Sequence, residues 1–142
     1  QIDRVLQAQK TILKICVAFT TLMFIIARFA SPLFVRLFTS DPVIMEKAIW
    51  SIHIFTLAII PLGIQYEIVD GFTALGHVEL SLPLSFFRKL VYFLVLFIIP
   101  LFSPVENVFY AEAVSDIIPP IVSIIVYVLT IKKILHQRRV TA

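Results

Sequence analysis

Glycine, cysteine and charge are all scarce in this chain, and each scarcity closes off a class of function. Three glycines cannot supply a phosphate-cradling loop, whose backbone must approach the anion at several positions. The single cysteine, Cys16, has no intrachain disulfide partner, and neither a cysteine cluster nor a paired-histidine zinc motif is present. A nucleophile elbow is missing as well. The chain therefore reads as a non-enzyme, with no cofactor and no metal centre. Charged residues make up 15% against 60% hydrophobic ones, with a mean hydropathy of +1.00. In water, a chain of 142 residues with that balance would be left with a large exposed apolar surface.

Four apolar stretches fill most of the length. Ile15 to Ala27, Ala48 to Tyr66, Leu90 to Val105 and Ile117 to Ile131 contain no Asp, Glu, Lys or Arg, whereas a spanning helix needs about 20 mainly apolar residues. Ala48 to Tyr66 nearly reaches that length alone. The others reach it by including a charged residue near one end, where a long side chain carries its charge to the headgroups. The expected fold is all-α: a polytopic membrane protein with four spanning helices at about 3–31, 42–70, 80–101 and 107–135, forming one membrane domain over 1–142. The opening at Gln1 is polar and carries no cleavage-site pattern, so it reads as part of something longer rather than as a signal peptide.

If the spans alternate, Arg4, Lys10, Lys14, Arg88, Lys89 and the tail from Lys132 and Lys133 to Arg138 and Arg139 share one side. Arg28, Arg36 and Lys47 take the other. That asymmetry marks the richer side as the cytoplasm and both ends as inside. Arg88, Lys89, Lys132 and Lys133 are then expected to anchor helices at the inner interface. The net charge of +3 matches an anionic inner leaflet and needs no nucleic-acid partner.

Prolines set the expected breaks. Pro32 bends or ends the first helix, and Thr39-Ser40-Asp41-Pro42 is a stop and restart in which Ser40 or Asp41 caps the new helix. Pro61 removes the donor for the Leu57 carbonyl and should kink the second helix, either as a bent helix facing a partner or as a hinge lining a substrate path. Asp70 to Ser81, with Gly71, Gly76, His77 and Glu79, reads as the cytoplasmic turn. Pro100 and Pro104 close the third helix, and Pro119 and Pro120 kink the fourth.

Glu112 and Asp116, four residues apart and one turn before that kink, are the leading functional candidates. They share a face, beside the Ser115 and Asp116 carbonyls that the prolines leave without donors, and together could hold a proton or a monovalent cation. The bland alternative leaves both hydrated in the outer interfacial layer. Glu67 and Asp70 lie about 15 Å from the centre of their span, solvated or paired with Arg88. His53 reads as a hydrogen-bonded packing residue rather than a proton relay. Phe86, Phe87, Phe93, Phe97, Phe102 and Tyr92 read as lipid-facing or interhelical packing, with an aromatic drug site as the alternative.

Three segments together resemble the multidrug and toxic compound extrusion (MATE) transporters: Phe34-Val35-Arg36-Leu37-Phe38-Thr39-Ser40-Asp41-Pro42-Val43-Ile44, Phe72 to His77 followed by Leu82 to Arg88, and Ala111 to Ser123 with Asp116 inside it. The resemblance covers roughly Arg28 to Leu135. It implies the last four of twelve helices, part of the C-terminal lobe, in the cell (inner) membrane. It also implies export of cationic amphipathic compounds in exchange for protons or sodium ions, as two lobes rock about a central cavity. The remaining helices of the transporter and the lipid bilayer would be partners. The family's key acids in its first and seventh helices lie outside this chain, and the acid some members carry in the tenth falls near Ile64, so no coupling residue transfers. Two other readings stand beside it: a lipid-linked saccharide flippase of the same superfamily, and a four-helix membrane scaffold that transports nothing.

Overall fold

In the computed structural model, which describes the backbone of residues 2–140 and the side chains of residues 4–135, the chain is all-helical. The elements are α1 (Ile2–Phe29), α2 (Ser31–Arg36), α3 (Pro42–Phe55), α4 (Ile59–Ala74), α5 (Val78–Phe102), a 3-10 turn (Val105–Phe109), α6 (Tyr110–Ser115) and α7 (Ile118–Val140). Three stretches, Arg4–Phe29, Val78–Phe102 and Val105–Leu135, are long and apolar enough to cross a membrane. The pair α3 and α4, bent by 41°, makes a fourth if taken as one span.

Local chemistry accounts for each boundary. Pro32 is expected to bend or end the first helix; the chain breaks at Ala30 and resumes as α2 with Pro32 in its first turn, where a missing N–H costs nothing. Asp41 caps α3, its Oδ1 accepting from the N–H groups of Val43 at 2.8 Å and Ile44 at 3.3 Å, with Pro42 at the first helical position. The second expected helix is two. Pro61 cannot donate to the Leu57 carbonyl, and the chain leaves helical geometry around Thr56–Ala58, so Pro61 sits in the opening turn of α4.

The cytoplasmic turn expected over Asp70 to Ser81 is far shorter. Helix α4 continues through Asp70 and Gly71 to Ala74, and α5 begins at Val78. Gly71 lies inside α4 facing Gln9, where an added Cβ would stand 2.7 Å from the end of that side chain, Nε2. Gly76 makes the turn, with φ of 79°. Its N–H donates to Thr73 O and that of His77 to Phe72 O, both at 2.9 Å, a Schellman closure. Pro100 lies inside the last turn of α5 rather than ending it. The last expected helix is also divided: a 3-10 turn and α6 end at Ser115, and α7 restarts at Ile118.

Helix α4 is the central post, packing against α1, α5 and α7. The core joins Ile68, Phe72 and Leu75 of α4 to Leu84 of α5 and Ile131, Ile134 and Leu135 of α7. Tyr127 of α7 donates to Gln9 Oε1 at 2.8 Å, tying the first helix to the last. Gly63 allows α1 to approach α4, and the Cys16 thiol donates to its carbonyl at 3.3 Å. A Cβ at Gly63 would meet Thr20 Cγ2 at 2.7 Å and Cys16 Sγ at 3.2 Å. Thr20 cannot swing away freely, because its hydroxyl donates to Cys16 O at 2.9 Å. Gly63→Leu should therefore lower stability by about 1–3 kcal/mol, the usual range for overpacking, read as a fall in melting temperature in detergent. Adding Thr20→Ala should recover part of the loss. Parent-like stability of Gly63→Leu alone would show that this contact yields.

Candidate functional site

The ionisable side chains at the two helix breaks form the candidate site. At the second break, α6 ends with Asp116 as its C-cap, and Pro119 and Pro120 occupy the second and third positions of α7. Their missing N–H groups fall among the donors that a helix start leaves unpaired anyway, so the two prolines begin a helix instead of kinking one. Both are fully buried, as are Ser115 and Ser123.

Asp116 is only 1% exposed, and a carboxylate in that position requires a partner. Arg88 of α5 provides it: Nη1 donates to Asp116 Oδ1 at 3.2 Å. The same nitrogen stands 4.0 Å from Glu112 Oε1, one turn earlier. Nη2 donates to the Tyr66 hydroxyl of α4 at 3.1 Å, and the guanidinium lies 5.5 Å from that ring's centroid. The arginine side chain is 12% exposed. One guanidinium thus binds three elements together: the central helix α4, its own helix α5 and the broken last span.

Arg88, expected beside Lys89 as an anchor of α5, is engaged with protein groups. Counted from Val78, Arg88 lies about 15 Å along the helix at 1.5 Å per residue, near the middle of a 25-residue element. Its charge is held by protein groups. Nor does Arg88 pair with Glu67 or Asp70. Both of those line a groove of about 600 Å³ between α1 and α4, Glu67 half-buried and Asp70 exposed. Lys89 is exposed on the wall of a separate α4–α5 groove, and Lys132 and Lys133 are exposed on α7. Arg138 and Arg139 lie outside the residues whose side chains are described.

The first break is served in the same way. Where α3 ends, Leu57 N–H turns to Ile54 O, leaving the His53 carbonyl that a continuous helix would have given it. Arg28 of α1 fills the gap, its Nη2 donating to His53 O at 3.0 Å while the guanidinium lies over the Phe24 ring at 4.9 Å. A cation at a helix C-terminus also meets the negative end of the helix dipole. The His53 ring is 3.0 Å from Ser31 Oγ through Nε2, a packing role across α2 and α3. Each of these two breaks is therefore met by an arginine from a neighbouring helix.

Sequence reasoning missed both arginine contacts and one aromatic cluster. Trp50 packs edge-on against Phe109 and Tyr110, with centroids 5.9 and 6.0 Å apart, and Phe55 lies 5.6 Å from Phe109. The available signal was that Trp50 and Tyr110 fall in the opening turns of two expected helices, where amphipathic rings collect. The aromatics singled out on α5 are mostly exposed instead: Phe86, Phe93, Phe97 and Phe102 face outward, Phe87 and Tyr92 are half-buried, and Tyr92 touches Phe93 at 5.7 Å. They enclose no aromatic site among the described residues.

Compared with family models, curated proteins and solved structures, the chain matches none.

Proposed function

We propose that this chain is part of the C-terminal lobe of a MATE-type antiporter, exporting cationic amphipathic compounds against an inward flow of protons or sodium ions. It would lie in the inner membrane with both ends of the segment cytoplasmic, its exposed apolar faces covered by lipid and the remaining helices of the transporter. The observation that carries the reading is the pair of discontinuous spans with ionised side chains at their breaks. Secondary transporters build their ion and substrate sites from interrupted helices of this kind, and charge held within a span is retained where it serves such a path. The three sequence segments that resemble the family supply the direction of transport and the substrate class.

The flippase reading needs a basic cavity for a pyrophosphate, yet Arg88 is matched by Asp116 and Glu112 and offers no free positive charge. A scaffold that transports nothing would use Arg88 and Asp116 only to tie α4, α5 and the last span together, and leaves Glu112, 4.0 Å from the guanidinium, without a role. Dye efflux from vesicles carrying the intact protein tests the proposal. With an imposed proton or sodium gradient, Glu112→Gln combined with Asp116→Asn should slow efflux about tenfold, within the usual range of a coupling free energy. Efflux that ignores both gradients, or that the double variant leaves unchanged, would defeat it.

A further inference from the structure

The cluster of Arg88, Glu112 and Asp116 does not balance. One guanidinium faces two carboxylates on successive turns of the same face, so with all three ionised the group carries one surplus negative charge. Buried charge is tolerated only when matched, and within a span no bulk water makes up the difference. We infer that Glu112 is a proton-binding site, neutral when its proton is on, with Arg88 and Asp116 as the fixed ion pair beside it. The inference deepens the proposed function and rests on its membrane placement: it selects the proton over the sodium ion and one carboxyl over the other.

Geometry divides the two carboxyls. Asp116 takes a direct bond at 3.2 Å, and its side chain is 2% exposed; removing its charge would strand the arginine. Glu112 stands 4.0 Å from the same nitrogen, beyond hydrogen-bond length, and its side chain is 27% exposed. It is the less committed partner and the one a proton can reach. A metal cation would have to sit beside the guanidinium with these two carboxylates as its anionic ligands, setting one positive charge against another.

Other charged groups on neighbouring elements are engaged or distant. From α4 the facing group is Tyr66, which accepts from Arg88. From α5 it is Arg88 itself, and Lys89 forms no ion pair among the described residues. In the 3-10 turn Glu106 pairs with Lys47 of α3 at 3.5 Å, and His53 of α3 is held by Ser31. On α7 the first ionisable group is Tyr127, about 16 Å along the axis from Asp116 and bonded to Gln9.

A hydrophobic carbodiimide, which couples only to a protonated carboxyl in an apolar setting, tests the assignment on the intact protein in proteoliposomes. The adduct, located by mass spectrometry, is expected on Glu112 and not on Asp116. It should decline about tenfold for each pH unit above the midpoint, as for a single proton. Glu112→Gln should remove it, Glu112→Asp should keep a pH-dependent adduct, and Arg88→Gln should bring a new one to Asp116. A protonated-carboxyl infrared band that fades as pH rises, and is lost in Glu112→Gln, gives a second readout independent of reagent access. An adduct on Asp116 instead of Glu112 in the unaltered protein, or absence of both adduct and band, would overturn the inference. If Glu112 binds the proton but Glu112→Gln leaves efflux intact, the transport reading falls and the site stands. If efflux follows protons while Glu112 stays ionised throughout, the site falls and the transport reading stands.

Discussion

Arg88→Met should destabilise the purified protein by about 3–5 kcal/mol, the usual penalty for leaving one member of a buried ion pair alone. The reason lies in Asp116. Its side chain is 2% exposed, and the only cation among the described residues within ion-pair distance is the one removed. Tyr66 would also lose a donor to its hydroxyl. The melting temperature in detergent, followed by fluorescence-detected gel filtration, measures the effect. Arg88→Met with Asp116→Leu should recover most of the loss, because a well-packed apolar pair often replaces a buried ion pair at little cost. Glu112, 4.0 Å from the guanidinium, makes no direct hydrogen bond that the exchange would break. If the double variant is as unstable as the single one, Asp116 is not the reason Arg88 matters.

The segments themselves were legible because length and apolar content decide them: a run without charge has few alternatives to a long helix. Helix starts and stops were legible where a proline or a capping acid decides the geometry locally, as at Asp41-Pro42 and at Leu57 to Pro61. What escaped depends on contacts far apart in the chain. Gly71 looks like a turn residue beside Asp70, but it lies within α4 and faces the Gln9 side chain of the first helix. Arg88 was assigned a side of the membrane by charge counting, which registers on which side a residue falls but not how deep. A depth count would have served better. From the expected start at Leu80, Arg88 lies about 12 Å in from the inner face; from Asn107, Asp116 lies about 14 Å in from the outer one, at 1.5 Å per residue. In a hydrocarbon core about 30 Å thick, the two approach the same level, and opposite charges at one depth invite pairing. The Arg28 contact with His53 O offered no such signal, since nothing in the residue order says which carbonyl a break leaves free.

Phe72→Ala is the second large effect expected, and it separates interior packing from simple greasiness. Phe72 is 0% exposed and fills the junction of α4, α5 and α7, with the Tyr127 ring 5.9 Å away and tilted by 55°. Truncation to alanine should cost about 3 kcal/mol, the lower end of the range for buried phenylalanine in soluble proteins. The lower end applies because lipid is as apolar as the side chain, so burial from water contributes little and lost van der Waals packing contributes most. Phe93→Ala provides the contrast: Phe93 is 53% exposed on α5, and detergent or lipid can fill the space it vacates. Its melting temperature should stay near that of the parent. Because Tyr127 carries the hydrogen bond to Gln9, a cavity beside its ring should also loosen α1 from α7, so that protease sensitivity near the chain's opening helix rises in Phe72→Ala alone. Equal losses in the two variants would mean that apolar area rather than packing governs this bundle, and that the α4 junction has no privileged place in it.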